Sequence, residues 1–526
     1  MHSAPRTHRT ATLTAVIAAA LTGLLVLSGC SSAVGSEGGS TSGEPAKGGT
    51  LHVGTTVDLV PAAVFTNSND TINVLIGQVY DSLIDYPNDK VEPQPSLATS
   101  WETAPDGLSL KLNLRDDVKF HSGRDFTSKD VEFSIKTWAD PKWTVQFLRT
   151  AAAITGFDTS DPHAIVLKFD HPLSNVFDLL DLLPIIDSET FDGLGEGKEY
   201  VGTGPFTFKS WTPQSKLVFE RNEDYWKGAP KLDGVDVSIV PDAQSLVSQL
   251  RSGQLDLILG ASNRDMDNLA KTGKFDTVPF VGSERQIYVG TNVTNPALKD
   301  VRVRQAIALA VDRDRVVKEV YRGVGYPIAL PWPKYSPAYD AARNEEFKRD
   351  AAKAKALVKQ VGEIPTLPLE YSTASPNYEL VAQVIQANLA EVGIKVELQP
   401  NEHATQIEKL IGGTFPALWI LDHAYAQYVP STLAVTAYPF NADKNSSNFV
   451  DADYKEHANA AWEIASDPSG PEAVAAYKKV SDDLLEKLFL IELNITFLQT
   501  EKSKAVQDIA WNKRSELNFG KTWLDK

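Results

Sequence analysis

The sequence predicts an interleaved α/β or α+β chain, and three observations carry that expectation. Short runs of alternating apolar and polar residues are followed, again and again, by runs with apolar residues at helical spacing. Apolar residues make up 42% and charged residues 23% of the 526, an ordinary globular balance. No internal repeat is visible, so the strands and helices belong to layered rather than stacked architecture.

The first 30 residues have a secretory layout, with Arg6 and Arg9 ahead of a stretch, Ala11 to Leu27, that is almost free of charge. Cys30 is the only cysteine in the chain and directly follows Leu27-Ser28-Gly29. That tetrad resembles the lipobox of bacterial lipoproteins, where small residues admit the peptidase and the thiol accepts a diacylglyceryl group. A transmembrane anchor is the other reading, but the run sits at the lower limit of the roughly 17–25 apolar residues a span needs. Residues 1–29 are therefore expected to be a lipoprotein signal peptide, Cys30 the lipidated residue, and 30–47, rich in Ser, Gly and Thr, a flexible tether.

Removing the leader leaves 497 residues, enough for about three units of roughly 150 residues, or for two large lobes of which one is subdivided. The exported part would hold no cysteine besides Cys30, which excludes disulfides and thiolate metal sites. With both leader arginines gone, 49 basic residues face 68 acidic ones, a net charge near −19. Such a surface disfavours nucleic acid and anionic lipid headgroups.

Alternation predicts a first strand at Gly48 to Val53, and Ile72, Leu75, Ile76, Val79 and Leu83 mark a helix from Thr71 to Leu83. A strand at Leu108 to Leu114, a helix at Lys129 to Trp138 and a strand at Ala164 to Phe169 follow. Pro205 to Val240 is strand-rich, leading to a helix at Ala243 to Ser252 and a strand at Leu255 to Leu259. The texture changes near Ile287 to Asn292. Longer helices come after it: Val301 to Val311, Arg313 to Tyr321, Ala351 to Val361, Tyr378 to Val392, and Pro471 to Leu488 with Val474, Tyr477, Val480, Leu484, Leu485 and Leu488 on its apolar face. Asp300 and Asp312 stand where N-caps belong. In Gly202-Thr203-Gly204-Pro205, positive φ at glycine and the fixed φ of proline predict a rigid bend.

Tests for enzyme chemistry come back empty. There is no His-Glu-x-x-His, no phosphate loop and no Gly-x-Ser-x-Gly elbow, and Gly193, Gly195 and Gly197 do not make a dinucleotide fingerprint. The nine histidines are scattered; His121 reads as a turn residue, and His403 and His423 as site-lining or simply hydrogen-bonded. Asp116-Asp117 and Asp482-Asp483 read as solvated faces, and Trp101, Trp138 and Trp226 as packing residues. A triad assembled from distant segments, as in a secreted hydrolase, stays open at this level.

Several ordered segments carry a resemblance across the mature chain. They are Tyr80-Asp81-Ser82-Leu83, Pro93 to Trp101, Leu114 to Gly123, Lys129 to Phe133, Gly202 to Phe206 and Arg221 to Gly228, then Asp300 to Ile307, Ala310 to Arg313 and Leu389 to Val396. In that order and spacing the chain resembles the family 5 extracytoplasmic solute-binding proteins of ABC importers, the oligopeptide-, dipeptide- and nickel-binding group. The resemblance implies a two-lobe periplasmic-binding-protein fold of type II. Lobe I would span 48–288 with an inserted subdomain at about 71–199, lobe II 289–497, and 498–526 would return to lobe I. Two segments would cross between the lobes, near Ile287 to Asn292 and Ile495 to Thr500. It implies no enzyme activity, catalytic residue, cofactor or metal site. It implies a monomer serving permease and ATPase subunits, with a short peptide or peptide-like solute as ligand; a nickel chelate, opine, oligosaccharide or other small organic solute is the alternative.

The resemblance also supplies a site. Trp419-Ile420-Leu421-Asp422 matches a Trp-x-x-Asp element whose aspartate meets a peptide's ammonium group, which would make Asp422 the ligand's counter-charge. The competing reading has Asp422 capping a helix or pairing with a basic side chain of its own lobe. Relatives continue with an Asp-Pro or Glu-Pro pair, whereas this chain reads His423-Ala424-Tyr425-Ala426-Gln427-Tyr428-Val429-Pro430, so the local loop has changed. Trp419, Tyr425 and Tyr428 either stack on a ligand ring or pack inside lobe II, His423 is a further candidate, and Phe65 and Asn67 are candidates after the first strand. An adhesin or sensor without a transporter is a third class of answer.

Overall fold

The computed structural model describes residues 46–525 except 62–63, 66–68, 89, 144, 146 and 466. The signal peptide, Cys30, most of the tether and Asn67 lie outside the described residues.

Two long antiparallel strands, Phe275–Thr291 and Leu490–Ser503, form the spine. Their ladder runs from Phe275–Pro279 against Gln499–Ser503, slips, and resumes with Glu284–Gly290 against Leu490–Phe497. Gly282 sits in the slip with φ +87°, and a Cβ there would lie 2.2 Å from the Asn88 carbonyl oxygen. Only glycine serves at such a bend. On one side of the slip the strands add Leu257–Leu259, Thr50–Thr55, Gly234–Ile239, Lys216–Arg221 and Phe206–Thr212; on the other, Leu418–His423, Leu367–Ser372 and Val396–Asn401. One hydrogen-bonded sheet therefore serves two bodies, and the long pair runs through both.

The second body shows strand alternation plainly. Ile287, Val289 and Ile420 face one buried cluster with Val303, Ile307 and Leu389, while Tyr288, Trp419 and Leu421 face another with Phe440, Tyr454 and Phe489. Each face buries several large side chains at roughly 1.5–3 kcal/mol apiece, which holds the register against a one-residue slip. A separate four-stranded antiparallel sheet, Ala98–Thr103, Ser109–Leu114, Ala164–Phe169 and Ile154–Asp161, packs with helix Ser128–Trp138. From the C-terminal tail, Leu517 and Phe519 join the buried cluster that holds Leu51 and Val53, and the Gln78 side chain donates to the Leu517 carbonyl at 2.5 Å.

Most helices stand where periodicity puts them, and both caps form: Asp300 accepts the Arg302 amide and Asp312 the Arg315 amide, each at 2.9 Å. Four local expectations change. The first helix spans Asp70–Val79 and stops short of Leu83, because Tyr80 is extended and the Gly204 amide takes the Val79 carbonyl at 2.9 Å. Gly202 and Gly204 are needed for close approach and not for positive φ; a Cβ on either would meet a backbone oxygen, of Val79 at 2.1 Å or Gln78 at 2.4 Å. The segment after Asp312 is one α turn, Arg313–Arg315, running into a π turn, Val316–Val320. Val474 also leaves its helix's apolar face, being 39% exposed.

Candidate functional site

Strand Leu418–His423 lies beside Phe275–Thr291, pairing Ile287 with Asp422 and Gln286 with His423. At its end two cavities open. Arg285, Tyr378, His403 and Asp422 line both and so form the junction between them.

The first cavity is largely aromatic. Phe65, Trp138 and Phe147 come from the first body, and Tyr425 and Tyr428 from the loop after Asp422, with Arg514 reaching in from the C-terminal tail. Phe65 meets Trp143 edge-on at 5.3 Å, and Phe147 meets Tyr425 at 5.9 Å. The second cavity is mixed: Asn69, Asp70, Asn263, Ser375, Asn377 and Gln499 stand around it among apolar residues such as Val57, Met266, Ile287 and Leu498.

At the junction, the Tyr378 hydroxyl donates to Asp422 Oδ1, and Arg285 Nη1 lies 3.6 Å from Asp422 Oδ2. Arg285 is 9% exposed; its Nη2 donates to the Arg514 carbonyl at 3.4 Å, while Nε is buried without a hydrogen-bond partner. Burial, and then the Asp422 charge, push the Tyr378 phenol well above its ordinary value, so it is a permanent donor. Burial also lowers His403, against the pull of Asp422, which leaves a neutral imidazole at pH 7. Asp70 is raised to about 6, by burial first, with Arg285 opposing and Asp422 adding. Among the described residues no group of three or more His, Cys, Asp or Glu is arranged to hold a metal ion.

The structure brings Asp422, His423, Tyr425, Tyr428 and Phe65 to the first cavity. Their freedom differs. His423 Nε2 lies 3.1 Å from Glu492 Oε1, with both side chains buried, so this histidine is held by a crossing strand. Tyr428 offers its ring, since its hydroxyl faces Asp181 Oδ2 at 3.4 Å. Trp419 is a correction. It is fully buried, stacked on Phe415 at 4.3 Å, and lies over Gly290, where a Cβ would stand 2.0 Å from its indole. Packing deeper along the strand, and not the cavity, takes that ring.

Asp422 lines both cavities and faces Arg285, a basic side chain that the expected lobe limits assign to the other lobe and not to its own. Sequence reasoning missed Arg285, Tyr378, Asp70 and Arg514. The polar triplet Glu284-Arg285-Gln286 inside a long apolar strand was the available signal for the first. Trp138 is a second correction: it is 3% exposed, as a packing residue would be, yet it walls the aromatic cavity.

Residues 92–445 match the family described as bacterial extracellular solute-binding proteins, family 5, middle. The chain belongs to that family. The family 5 protein is 30% identical over 355 residues to heme-binding protein A of Haemophilus influenzae, a match spanning 60% of this chain and 64% of that one. It is 26% identical over 495 residues to di/tripeptide-binding protein 2 of Pseudomonas aeruginosa, spanning 87% and 91%. Among solved structures it is similar to the oligopeptide-binding protein AppA of Bacillus subtilis in complex with a nonapeptide, with a TM-score of 0.80 at 22% identity, covering 92% of this chain and all of that one. The family 5 protein therefore has the two-lobe solute-binding fold, acts outside the cytoplasm, and is a binding protein and not an enzyme. No described helix is long and apolar enough to cross a membrane.

Proposed function

We propose that the protein is the receptor of an ABC importer, capturing a short peptide between its lobes and passing it unaltered to a permease. The observation that carries this reading is the junction of Asp422, Arg285 and Tyr378, set between two cavities of which the first holds several aromatic rings. Arg285 already faces that partly buried carboxylate at 3.6 Å, and a free amino terminus adds a second cation to the junction. The aromatic cavity then receives an apolar side chain. The relative named for di- and tripeptides, matched over most of both chains, supports the same ligand class.

Thermal-shift screening tests the reading. A ligand at about a hundred times its dissociation constant adds roughly 2.7 kcal/mol. Stabilisation by di- to pentapeptides is expected; stabilisation only by a non-peptide overturns it. That second reading, a nickel chelate, opine, oligosaccharide or other organic solute, draws on the cavity's rings and two arginines and on the relative named for heme.

The lobe limits are part of the proposal: 48–288 with an insert at about 71–199, then 289–497, with 498–526 returning. So is the anchor at Cys30, after removal of 1–29. A diacylglyceryl thioether gives the two chains that stable membrane residence requires. Cys30→Ala is expected to release or mislocalise the protein, and unchanged retention in the membrane fraction contradicts the anchor.

A further inference from the structure

The second cavity holds a second carboxylate beside the one at the junction. Asp70 is the first residue of helix Asp70–Val79, and Asn69 caps that helix, its Oδ1 accepting the Ile72 amide at 2.9 Å. Because Oδ1 must be the acceptor there, Nδ2 is the atom left over. Asn69 is 9% exposed and lines the cavity, yet Nδ2 is buried without a hydrogen-bond partner. Arg285 Nε and Asn377 Oδ1, on the same cavity, are in the same condition. The helix start thus comes with unspent donors and an acceptor around one recess, which is what a zwitterionic or amide-rich guest satisfies.

Asp422 alone is a weak partner for an ammonium group. Its carboxylate already accepts the Tyr378 hydroxyl and faces Arg285 at 3.6 Å, so an arriving cation meets a nearly neutral pair. The charged and titratable groups around the second cavity, besides Asp70, are Arg285 from the long strand, Asp422 from strand Leu418–His423, His403 from the start of helix His403–Gly412, and the phenols of Tyr321 and Tyr378. Arg285 balances one carboxylate. With a neutral imidazole and protonated phenols, the other remains as the net charge of the recess.

We propose that Asp70 is a second recognition carboxylate, pairing with the ligand's terminal ammonium while Asn69 Nδ2 donates to the first carbonyl oxygen. This rests on the peptide reading above and gives the ligand a direction. Its amino end lies in the second cavity, beside Asn69 and Asp70, and an apolar side chain lies among Phe65, Trp138 and Tyr425. An ammonium beside Asp70 also favours its ionised form. Because the unliganded acid titrates at about 6, binding releases a proton near that pH and weakens below it.

The test is calorimetric titration with alanyl-phenylalanyl-alanine and its N-acetylated form, at pH 7.5 and pH 5, with the wild type, Asp70→Asn and Asp70→Ser. The free amine is expected to bind wild type roughly tenfold tighter or more than the acetylated peptide. That ratio, and the loss of affinity at pH 5, should collapse in whichever of the two variants retains the wild-type melting profile. Wild type titrated near pH 6 in buffers of different ionisation enthalpy should show proton release, a readout that needs no variant. An amine preference and pH slope unchanged in both variants, or no proton release, overturns the role of Asp70 alone. If neither tripeptide binds wild type, the peptide reading itself fails.

Discussion

Thr432 Oγ1 donates to Asp178 Oδ2 at 2.5 Å, joining helix Val176–Leu182 to helix Pro430–Thr436 across 254 residues of chain. The Val429 amide reaches the same oxygen at 3.2 Å, and the Tyr86 hydroxyl reaches Oδ1 at 2.9 Å. Nearby, Ser174 and Ser431 share a hydroxyl contact at 2.8 Å, and Trp462 Nε1 donates to Asn175 Oδ1 at 2.7 Å. These directional polar bonds join the two bodies beside an apolar contact, in which Tyr428, Val435 and Trp462 belong to the first body's buried cluster. Such bonds break and re-form at low net cost, which suits a cleft that must open.

Removing the shared acceptor tests that contact. Asp178→Ala leaves three donors unpaired in a buried place, at about 1–3 kcal/mol for each that finds no water. A clear fall in melting temperature is expected by calorimetry, together with weaker ligand binding. A variant as stable as wild type would show that the contact contributes nothing.

Asp178 also gives a pH dependence with a definite sign. Burial raises it to about 7, and the bonds from Thr432, Tyr86 and Val429 oppose that shift. The folded state therefore holds a proton that the unfolded chain, with an ordinary aspartate near 3.9, has already lost. Its contribution is complete at low pH and declines as pH rises from about 4 to about 7. Denaturation of wild type and Asp178→Asn at pH 5 and pH 8 checks this: the wild type should lose more stability over that interval than the variant.

Trp138 walls the aromatic cavity, so trimming it should change what the cavity accepts. Trp138→Leu is expected to cut the preference for phenylalanine-containing over all-alanine tripeptides by roughly tenfold, about the worth of one good aromatic contact. Equal weakening of both peptides would place the effect in folding and not in selectivity.

Asp422→Asn removes the charge facing Arg285 at 3.6 Å and leaves a guanidinium buried beside an amide. Peptide affinity is expected to fall by at least tenfold, since charge-assisted bonds are worth about 1.5–3 kcal/mol. Full affinity in this variant would remove Asp422 from the site.

Gly204→Ala forces a Cβ to within 2.4 Å of the Gln78 carbonyl oxygen. Overpacking against rigid backbone costs about 1–3 kcal/mol or more, so the variant should melt earlier or express poorly. Unchanged melting would mean that the helix end at Val79 is free to move.

Local chemistry is legible in the chain itself. Ala164–Phe169, Ala243–Ser252 and Ala351–Val361 can be read to the residue, because alternation and helical spacing are written in neighbouring positions. The family segments likewise announce the two-lobe fold, and Asp422 announces itself by its neighbours. Positions 70, 285, 378 and 422 carry no mark of belonging together. Only the pairing of Ile287 with Asp422, and the docking of two helix starts against that strand end, makes them neighbours. Trp419 shows the converse, since a local motif suggested a contact that Phe415 and Gly290 had already taken. Secondary structure follows from interactions a few residues apart, which a sequence displays; a binding site follows from which side chains are left unspent once everything else has packed, and that is settled only in three dimensions.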